Sequence, residues 1–392
     1  MYRIRIVPWP DPGAGDGGSA SRPHAAGRGR RVGQRDAGVV PQLAVDGHYQ
    51  SWPTVAVMTN TMHAVAYRSS LPIDKPDSLI DVELPVPEPA PRDLLVRVSA
   101  VSVNPVDVKV RAGNDPAGAT KVLGYDAAGV VEAVGADVTL FTPGDAVFYA
   151  GSIDRPGTNA DFHLVDERLV GHLPKTLDFA HAAALPLTAI TAWETLFDRF
   201  ALGRQATGTL LILGAAGGVG SILVQLARTL TNLTVIGTAS RPDSQAWVSG
   251  LGAHHVVDHH GDLTANVRVA APEGVDYVFT PHSRGNVDAF AALLRPGGHV
   301  TAIDEPDALD LLPLKAKSLS WHWEFMFTRP LFAPADPAHH VLLDDVARLV
   351  DKGTIRSTLT TQLQPMNADT LREAHRLVET GQTIGKIVVT NT

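Results

Sequence analysis

Two rhythms of apolar residues divide this chain. From residue 62 to 185 the apolar positions fall in short clusters, many of them β-branched, separated by Pro and Gly. Met62-His63-Ala64-Val65-Ala66-Tyr67 alternates like a strand, and Leu94–Val98 and Ala128–Gly135 read as two more. The turn Thr142-Pro143-Gly144-Asp145 leads into a further strand, Ala146–Tyr149. Strands this short, punctuated this often, predict a β-rich and partly closed barrel.

The rhythm changes at residue 186. Thr188–Phe200 reads as a helix and Thr209–Leu213 as a buried strand. Ser221–Leu230 reads as a helix whose Ile222, Leu223, Leu226 and Leu230 share one face. Strand Leu233–Ala239, helix Gln245–Leu251, strands Val256-Val257 and Val275–Phe279, helix Asn286–Leu294 and strand His299–Ile303 follow. Alternation at this pitch predicts a parallel, doubly wound sheet over 186–322. Residues 323–392 are mixed and end in the strand Lys386–Val389. That segment is expected to return to the first domain, because the doubly wound unit is complete without it. The predicted class is α/β, a doubly wound parallel sheet inserted in a β-barrel domain.

Residues 1–61 follow neither rhythm. Asp11–Arg35 is crowded with Gly, Ser, Ala, Pro and Arg and has no apolar period. It lacks the apolar core of a secretory signal, and Asp11, Asp16 and Asp36 do not suit a mitochondrial presequence. The expectation is a disordered tail, or a mis-assigned upstream extension with Met58 or Met62 as the true start.

Composition narrows the chemistry. Apolar residues make up 44% and charged residues 19%, ordinary for a globular protein in water. The net charge of −8 argues against nucleic acid or an anionic membrane as partner. No apolar run reaches the roughly 18 residues a spanning helix needs. There is no cysteine, which removes disulfides, thiolate zinc sites and cysteine nucleophiles together, and leaves a cytoplasmic location as the default.

The loop after the first strand of the second region carries the most specific signal. Ala215 to Gly220 reads A-x-G-x-x-G, with Gly218 as an extra glycine. Glycines at 217 and 220 remove the Cβ atoms that would keep a pyrophosphate and the helix away from the backbone. The N–H groups from Val219 onward then face the negative charge. At the end of the next strand the chain reads Thr238-Ala239-Ser240-Arg241. An NAD site places an acid there, whereas Ser240 and Arg241 suit a ribose 2′-phosphate. NADPH is the expected cofactor. His259 reads either as a flank to the adenine or as a surface histidine beside His260.

Ser102-Val103-Asn104-Pro105-Val106-Asp107, Gly124-Tyr125-Asp126-Ala127-Ala128-Gly129 and Ala215–Ser221 together resemble the medium-chain dehydrogenase/reductase superfamily, in its zinc-independent quinone oxidoreductase branch. Tyr149–Gly157 and Phe325-Met326-Phe327-Thr328-Arg329 resemble the subgroup labelled zinc-type alcohol dehydrogenase-like. The resemblance covers Met62 to Thr392. It implies a GroES-like barrel split by a Rossmann domain, and a homodimer formed through the Rossmann sheet, for which the aromatic segment Leu319–Phe327 is the candidate edge. It also implies what is missing. Where zinc-dependent relatives hold catalytic metal, this chain has Asn104, and Gly124-Tyr125-Asp126 in place of Gly-His-Glu. No bound metal is expected, and the adjacent pairs His254-His255, His259-His260 and His339-His340 do not form a ligand pattern.

Hydride transfer without a metal suits an acceptor already activated by conjugation, a quinone or an α,β-unsaturated carbonyl. Asn104 is the candidate polar group beside the nicotinamide, with an Asx turn before Pro105 as the alternative. Tyr125 either donates to the acceptor or packs in the barrel. Thr188 and Thr191 either bind the cofactor or cap their helix. Lys386 either approaches the cofactor from the terminal strand or lies exposed. Two other readings stay open: an enoyl-thioester reductase, and an NADPH-binding sensor or structural protein with vestigial catalysis.

Overall fold

The computed structural model describes residues 60–391. The reading of residues 1–61 falls almost wholly outside them, since Thr61 already opens the first strand. The first region contains β1 (Thr61–Tyr67), β2 (Ile80–Pro85), β3 (Asp93–Val103), α1 (Pro105–Gly113), β4 (Lys121–Val122), β5 (Asp126–Val134), β6 (Ala146–Ala150), β7 (Phe162–Asp166) and β8 (Val170–His172). Helices α2 (Phe179–Ala183) and α3 (Pro186–Glu194) lead out of it. The middle region runs β9 (Thr209–Ile212), α4 (Gly218–Leu230), β10 (Thr234–Thr238), α5 (Pro242–Gly250), β11 (His255–Val257), α6 (Leu263–Ala270), β12 (Val275–Thr280), α7 (Val287–Leu293), β13 (Leu294–Ala302) and β14 (Ser320–Trp323). Then come α8 (Thr328–Phe332), α9 (Ala338–Asp351), β15 (Leu359–Leu363), α10 (Ala368–Glu379) and β16 (Lys386–Thr390).

Every strand of the middle sheet is parallel, in the order β11-β10-β9-β12-β13-β14. The chain builds outward from β9 to β11 and then returns to the other side of β9 with β12. Loops at the carboxyl ends of β9 and β12 therefore diverge, and the crevice they leave is where α/β sheets bind ligands. β14 is one edge of this sheet. Trp321 packs against the core there, while Trp323 is 50% exposed.

β16 does return to the first region. It pairs antiparallel with β3, Ile387 opposite Val103 and Val389 opposite Val101, and lies between β15 and β3 in the run β15-β16-β3-β5-β6-β8. This pairing sets Lys386 beside the junction of β3 and α1, and it links the last residues of the chain to its first domain.

Two helix boundaries differ from the apolar pattern. α4 starts at Gly218, three residues before the expected Ser221, because glycines contribute no periodicity although Gly217 already caps the helix. The single helix expected over Thr188–Phe200 is α3 followed by a π-turn, Thr195–Arg199. The turn is closed by Phe200 N–H on the Thr195 carbonyl at 3.0 Å. Such turns insert one residue and re-aim the side chains that follow.

Candidate active site

The first turn of the nucleotide loop depends on Gly214, whose φ is +62°, a region that side chains avoid. With the bend made one residue early, Ala215 replaces the usual glycine without strain, and its side chain is fully buried. A Cβ on Gly220 would lie 2.5 Å from the Gly214 carbonyl, so this glycine is needed for α4 to pack on β9. Gly217 is different. A Cβ there would come no closer than 3.4 Å to the fold itself, so the fold does not require its bareness, whereas an approaching pyrophosphate does. Val219 is half-buried on the first turn of α4.

Gly218 shows what lies across from the loop. A Cβ at that position would meet Lys386 Cδ at 2.9 Å and Thr188 Cγ2 at 3.1 Å. Gly385 N–H donates to the Ala216 carbonyl at 2.8 Å. Residues from three elements, α3, α4 and β16, thus meet at one end of the crevice. The hydroxyls of Thr188 and Thr191 donate back to the carbonyls of Leu185 and Leu187, so Thr188 presents its methyl group to the loop.

Lys386 is 4% exposed. Its ammonium donates to Asn104 Oδ1, to Asp126 Oδ2 at 3.2 Å and to the Val103 carbonyl at 3.4 Å. Asn104 Nδ2 donates to Asp126 Oδ2 at 2.8 Å and to the Ser102 carbonyl at 3.2 Å. Asp126 Oδ1 accepts from Leu187 N–H at 2.7 Å, which ties the start of α3 to the start of β5. Burial holds the Asp126 carboxyl above the ordinary range, and Lys386, the Asn104 amide and Leu187 N–H oppose it. Asp107 joins from α1, accepting from Asn104 N–H at 2.7 Å and Gly124 N–H at 3.0 Å. Its carboxyl is pushed up to about 7, mainly by burial. Asn104 thus caps α1 and also spans the network.

Tyr125 sits between two members of this network in sequence but is not one of them. It is 1% exposed, its ring meets Phe327 edge-on at 5.2 Å between centroids, and its hydroxyl bonds to none of the described residues. Burial, with the Asp107 charge as the next cause, raises the phenol well above its usual range. It is a protonated donor with no partner among the described residues.

The adenosine end follows from strand pairing. Thr238 of β10 is level with Val257 of β11. Ser240 and Arg241 therefore emerge at the same carboxyl edge as His259. Arg241 opens α5, and its guanidinium donates to the Gln382 carbonyl at 2.5 Å. His259 is exposed with its ring against His260, and burial is the main cause that lowers its imidazole.

Two family models match the chain. Residues 90–175 match the alcohol dehydrogenase GroES-like domain, and residues 251–389 match zinc-binding dehydrogenase. A zinc-type alcohol dehydrogenase-like protein of Staphylococcus epidermidis is 39% identical over 335 residues, covering 84% of this chain and 99% of that protein. The chain belongs to the medium-chain dehydrogenase/reductase superfamily. A crystal structure from Rhizobium etli CFN 42, provisionally described as a zinc-dependent alcohol dehydrogenase, is 55% identical with a TM-score of 0.82, covering 85% of this chain and 99% of that one. The 2-methylene-furan-3-one reductase of Solanum lycopersicum is 28% identical over 319 residues, covering 79% of this chain and 74% of that enzyme. Quinone oxidoreductases are among other solved structures of this fold. As a medium-chain dehydrogenase/reductase the protein is an oxidoreductase, and nicotinamide dinucleotide is its cofactor class.

The zinc in several of these relatives' names does not fit the residues of this medium-chain dehydrogenase/reductase. The chain has no thiolate to offer. Asp126 has both oxygens engaged, and a divalent ion beside it would face the Lys386 ammonium. Among the described residues no three His, Asp or Glu side chains converge as a ligand set.

Asp126 and Asp107 are the site residues that sequence reasoning missed. Asp126 had a signal: a carboxylate at the head of an apolar strand, Asp126-Ala127-Ala128-Gly129-Val130-Val131, requires a buried partner. Lys386 heads another such strand with the opposite charge.

Proposed function

We propose that the protein is an NADPH-dependent oxidoreductase that directs hydride, without a metal, to a quinone or to the β-carbon of an α,β-unsaturated carbonyl. The observation that carries this reading is the Tyr125 hydroxyl, without a partner among the described residues and next in sequence to Asp126 of the buried, self-satisfied Lys386–Asn104–Asp126 network. The reduced dinucleotide supplies the hydride when bound. The first turn of α4 binds its pyrophosphate through backbone N–H groups, with Gly217 and Gly218 admitting close approach.

The network's three donor–acceptor groups are spent on one another and on the backbone. They fix β3, β5, β16 and the start of α3 in one geometry, which is a positioning role. Tyr125 projects from that geometry with its proton intact. It donates a hydrogen bond to the acceptor oxygen as negative charge develops there, in a site that the Phe327 ring helps keep dry. A conjugated acceptor needs no stronger acid, because its charge spreads to oxygen. The relative named for reduction of an exocyclic enone is consistent with this class. A cytoplasmic setting, where reduced dinucleotide is replenished, completes the proposal.

Arg241 tests the cofactor. It is the cation at the end of β10, and no acid occupies Thr238–Arg241. A charged hydrogen-bonded pair contributes about 1.5–3 kcal/mol, so Arg241→Ala is expected to weaken NADPH binding roughly 10- to 100-fold. NADH binding should change by no more than a few fold. Titration calorimetry of both dinucleotides reads this directly. Equal weakening of the two, or of neither, would count against the 2′-phosphate role.

A further inference from the structure

The segment Glu324-Phe325-Met326-Phe327-Thr328-Arg329 carries the wall against which Tyr125 rests, and charged residues bracket it. Glu324 follows β14 directly, with its backbone N–H on the Ala302 carbonyl at 2.9 Å. Its carboxyl group is fully buried, and so is that of Glu194 at the end of α3. Arg199, the last residue of the π-turn, donates from Nε to Glu324 Oε2 at 2.7 Å. Arg329 donates from Nε to Glu194 Oε1 at 2.6 Å, and His339 Nε2 from α9 lies 3.1 Å from the same oxygen.

One oxygen on each acid is left over. Glu194 Oε2 and Glu324 Oε1 are buried without a partner among the described residues, although the two carboxyl groups are within hydrogen-bonding reach of each other. Two bare carboxylates, both fully buried, would repel each other. One proton placed between them satisfies both oxygens at once.

We propose that Glu324 is a positioning acid: protonated at Oε1, it donates to Glu194 Oε2, and this shared proton holds the Phe325–Thr328 wall of the acceptor site against α3 and the π-turn. The bond joins the edge of the Rossmann sheet to the helix that carries Thr188 and Thr191. Its role in acceptor binding rests on the function proposed above, whereas the shared proton itself does not.

The surrounding charges leave the proton where it is. Arg199 contacts Glu324 and lies 3.8 Å from Glu194 Oε2. Arg329 is shared among Glu194, Asp198 at 2.5 Å and Asp336. His339 faces Glu194, and His322 of β14 faces Arg199, whose charge is among the causes that lower its imidazole. The cluster sets four carboxyl groups, Glu194, Glu324, Asp198 and Asp336, against two guanidinium groups, so a proton retained on one buried acid relieves part of the excess negative charge. Burial first, and the Glu194 charge second, push the Glu324 carboxyl up to about 9, while Glu194 is held below the usual range, chiefly by His339 and by bonding to Glu324.

The linkage has a definite sign. Between the ordinary carboxylate range and pH about 9 the folded protein keeps a proton that the unfolded chain releases. Glu324 therefore makes the fold progressively less stable as pH rises through that window, and its effect levels off above it. Glu324→Gln abolishes the titration, while its amide still donates to Glu194 and its carbonyl still accepts from Arg199.

The experiment compares thermal unfolding of the full-length wild type and Glu324→Gln from pH 5.5 to 9, with acceptor KM and kcat measured alongside. The melting temperature of the variant is expected to gain on the wild type by several degrees across the range. The wild-type acceptor KM should rise several-fold as pH approaches 9, with a smaller change in kcat, while the variant's KM stays level. A melting difference that does not vary with pH overturns the shared proton. A varying difference with a level wild-type KM overturns the link to the acceptor wall. The varying difference without turnover in either protein would keep the shared proton and reject the reductase reading. If Glu324→Gln does not fold, Glu194→Gln narrows the same pH dependence, since its amide donates to Glu324 Oε1 and removes the Glu194 charge, the second cause of the upward shift after burial.

Discussion

Replacing Lys386 with methionine is expected to remove about 3–5 kcal/mol of folding stability, the cost of leaving a buried charge without its partner. Asp126 has no solvent exposure, and among the described residues Lys386 is its only cationic hydrogen-bond partner. Methionine keeps the apolar stem that packs against Gly218, so the loss reports the charge and not a cavity. Asp126→Asn in the same chain should recover most of the loss. The amide oxygen still accepts from Leu187 N–H, and Asn104 is free to turn its own oxygen toward the new amide. Urea unfolding of the two single variants and the double variant forms the cycle. A single-variant loss below about 1 kcal/mol, or no recovery in the double variant, would show that the pair is not the anchor described here.

Tyr125→Phe should act on rate instead. Removing one donor to a developing oxyanion lowers kcat by roughly 10²–10³. The phenyl ring keeps the edge-on contact with Phe327, and no bond to a described residue is lost, so the melting temperature and NADPH affinity should stay near those of the wild type. Steady-state kinetics with saturating NADPH separates the possibilities. A kcat within a few fold of wild type would reduce Tyr125 to a barrel side chain and leave the acceptor oxygen without a named donor.

These two residues illustrate what was legible in the chain. The doubly wound region was readable because continuous apolar runs in β9 and β10 and a helical period in α4 alternate along the chain. The glycine loop was readable because the turn it makes between β9 and α4 is a local feature of the sequence. β3 was longer than the pattern suggested, running to Val103, because Ser99 interrupts the apolar run after Val98, while Ser102 further along finds its partner in the Ile387 carbonyl on β16. The Lys386–Asp126 pair was not readable as a pair. Its members are 260 positions apart, and nothing local to Asp126 or to Lys386 names the other as its partner. The π-turn was likewise hidden, since one inserted residue leaves no mark on an apolar pattern, yet it directs Arg199 toward Glu324. Local periodicity gave the layers, whereas the contacts that build the site depend on how distant strands return.

The central claim is tested most directly by following the hydride. Chelator-treated protein would be given NADPH deuterated at the transferable position together with a short enone, and the product examined by mass spectrometry and NMR. The account predicts turnover that the chelator does not reduce, with deuterium on the β-carbon of a saturated ketone. Deuterium on the carbonyl carbon of an alcohol, or activity that disappears with chelator and returns with zinc, would contradict it.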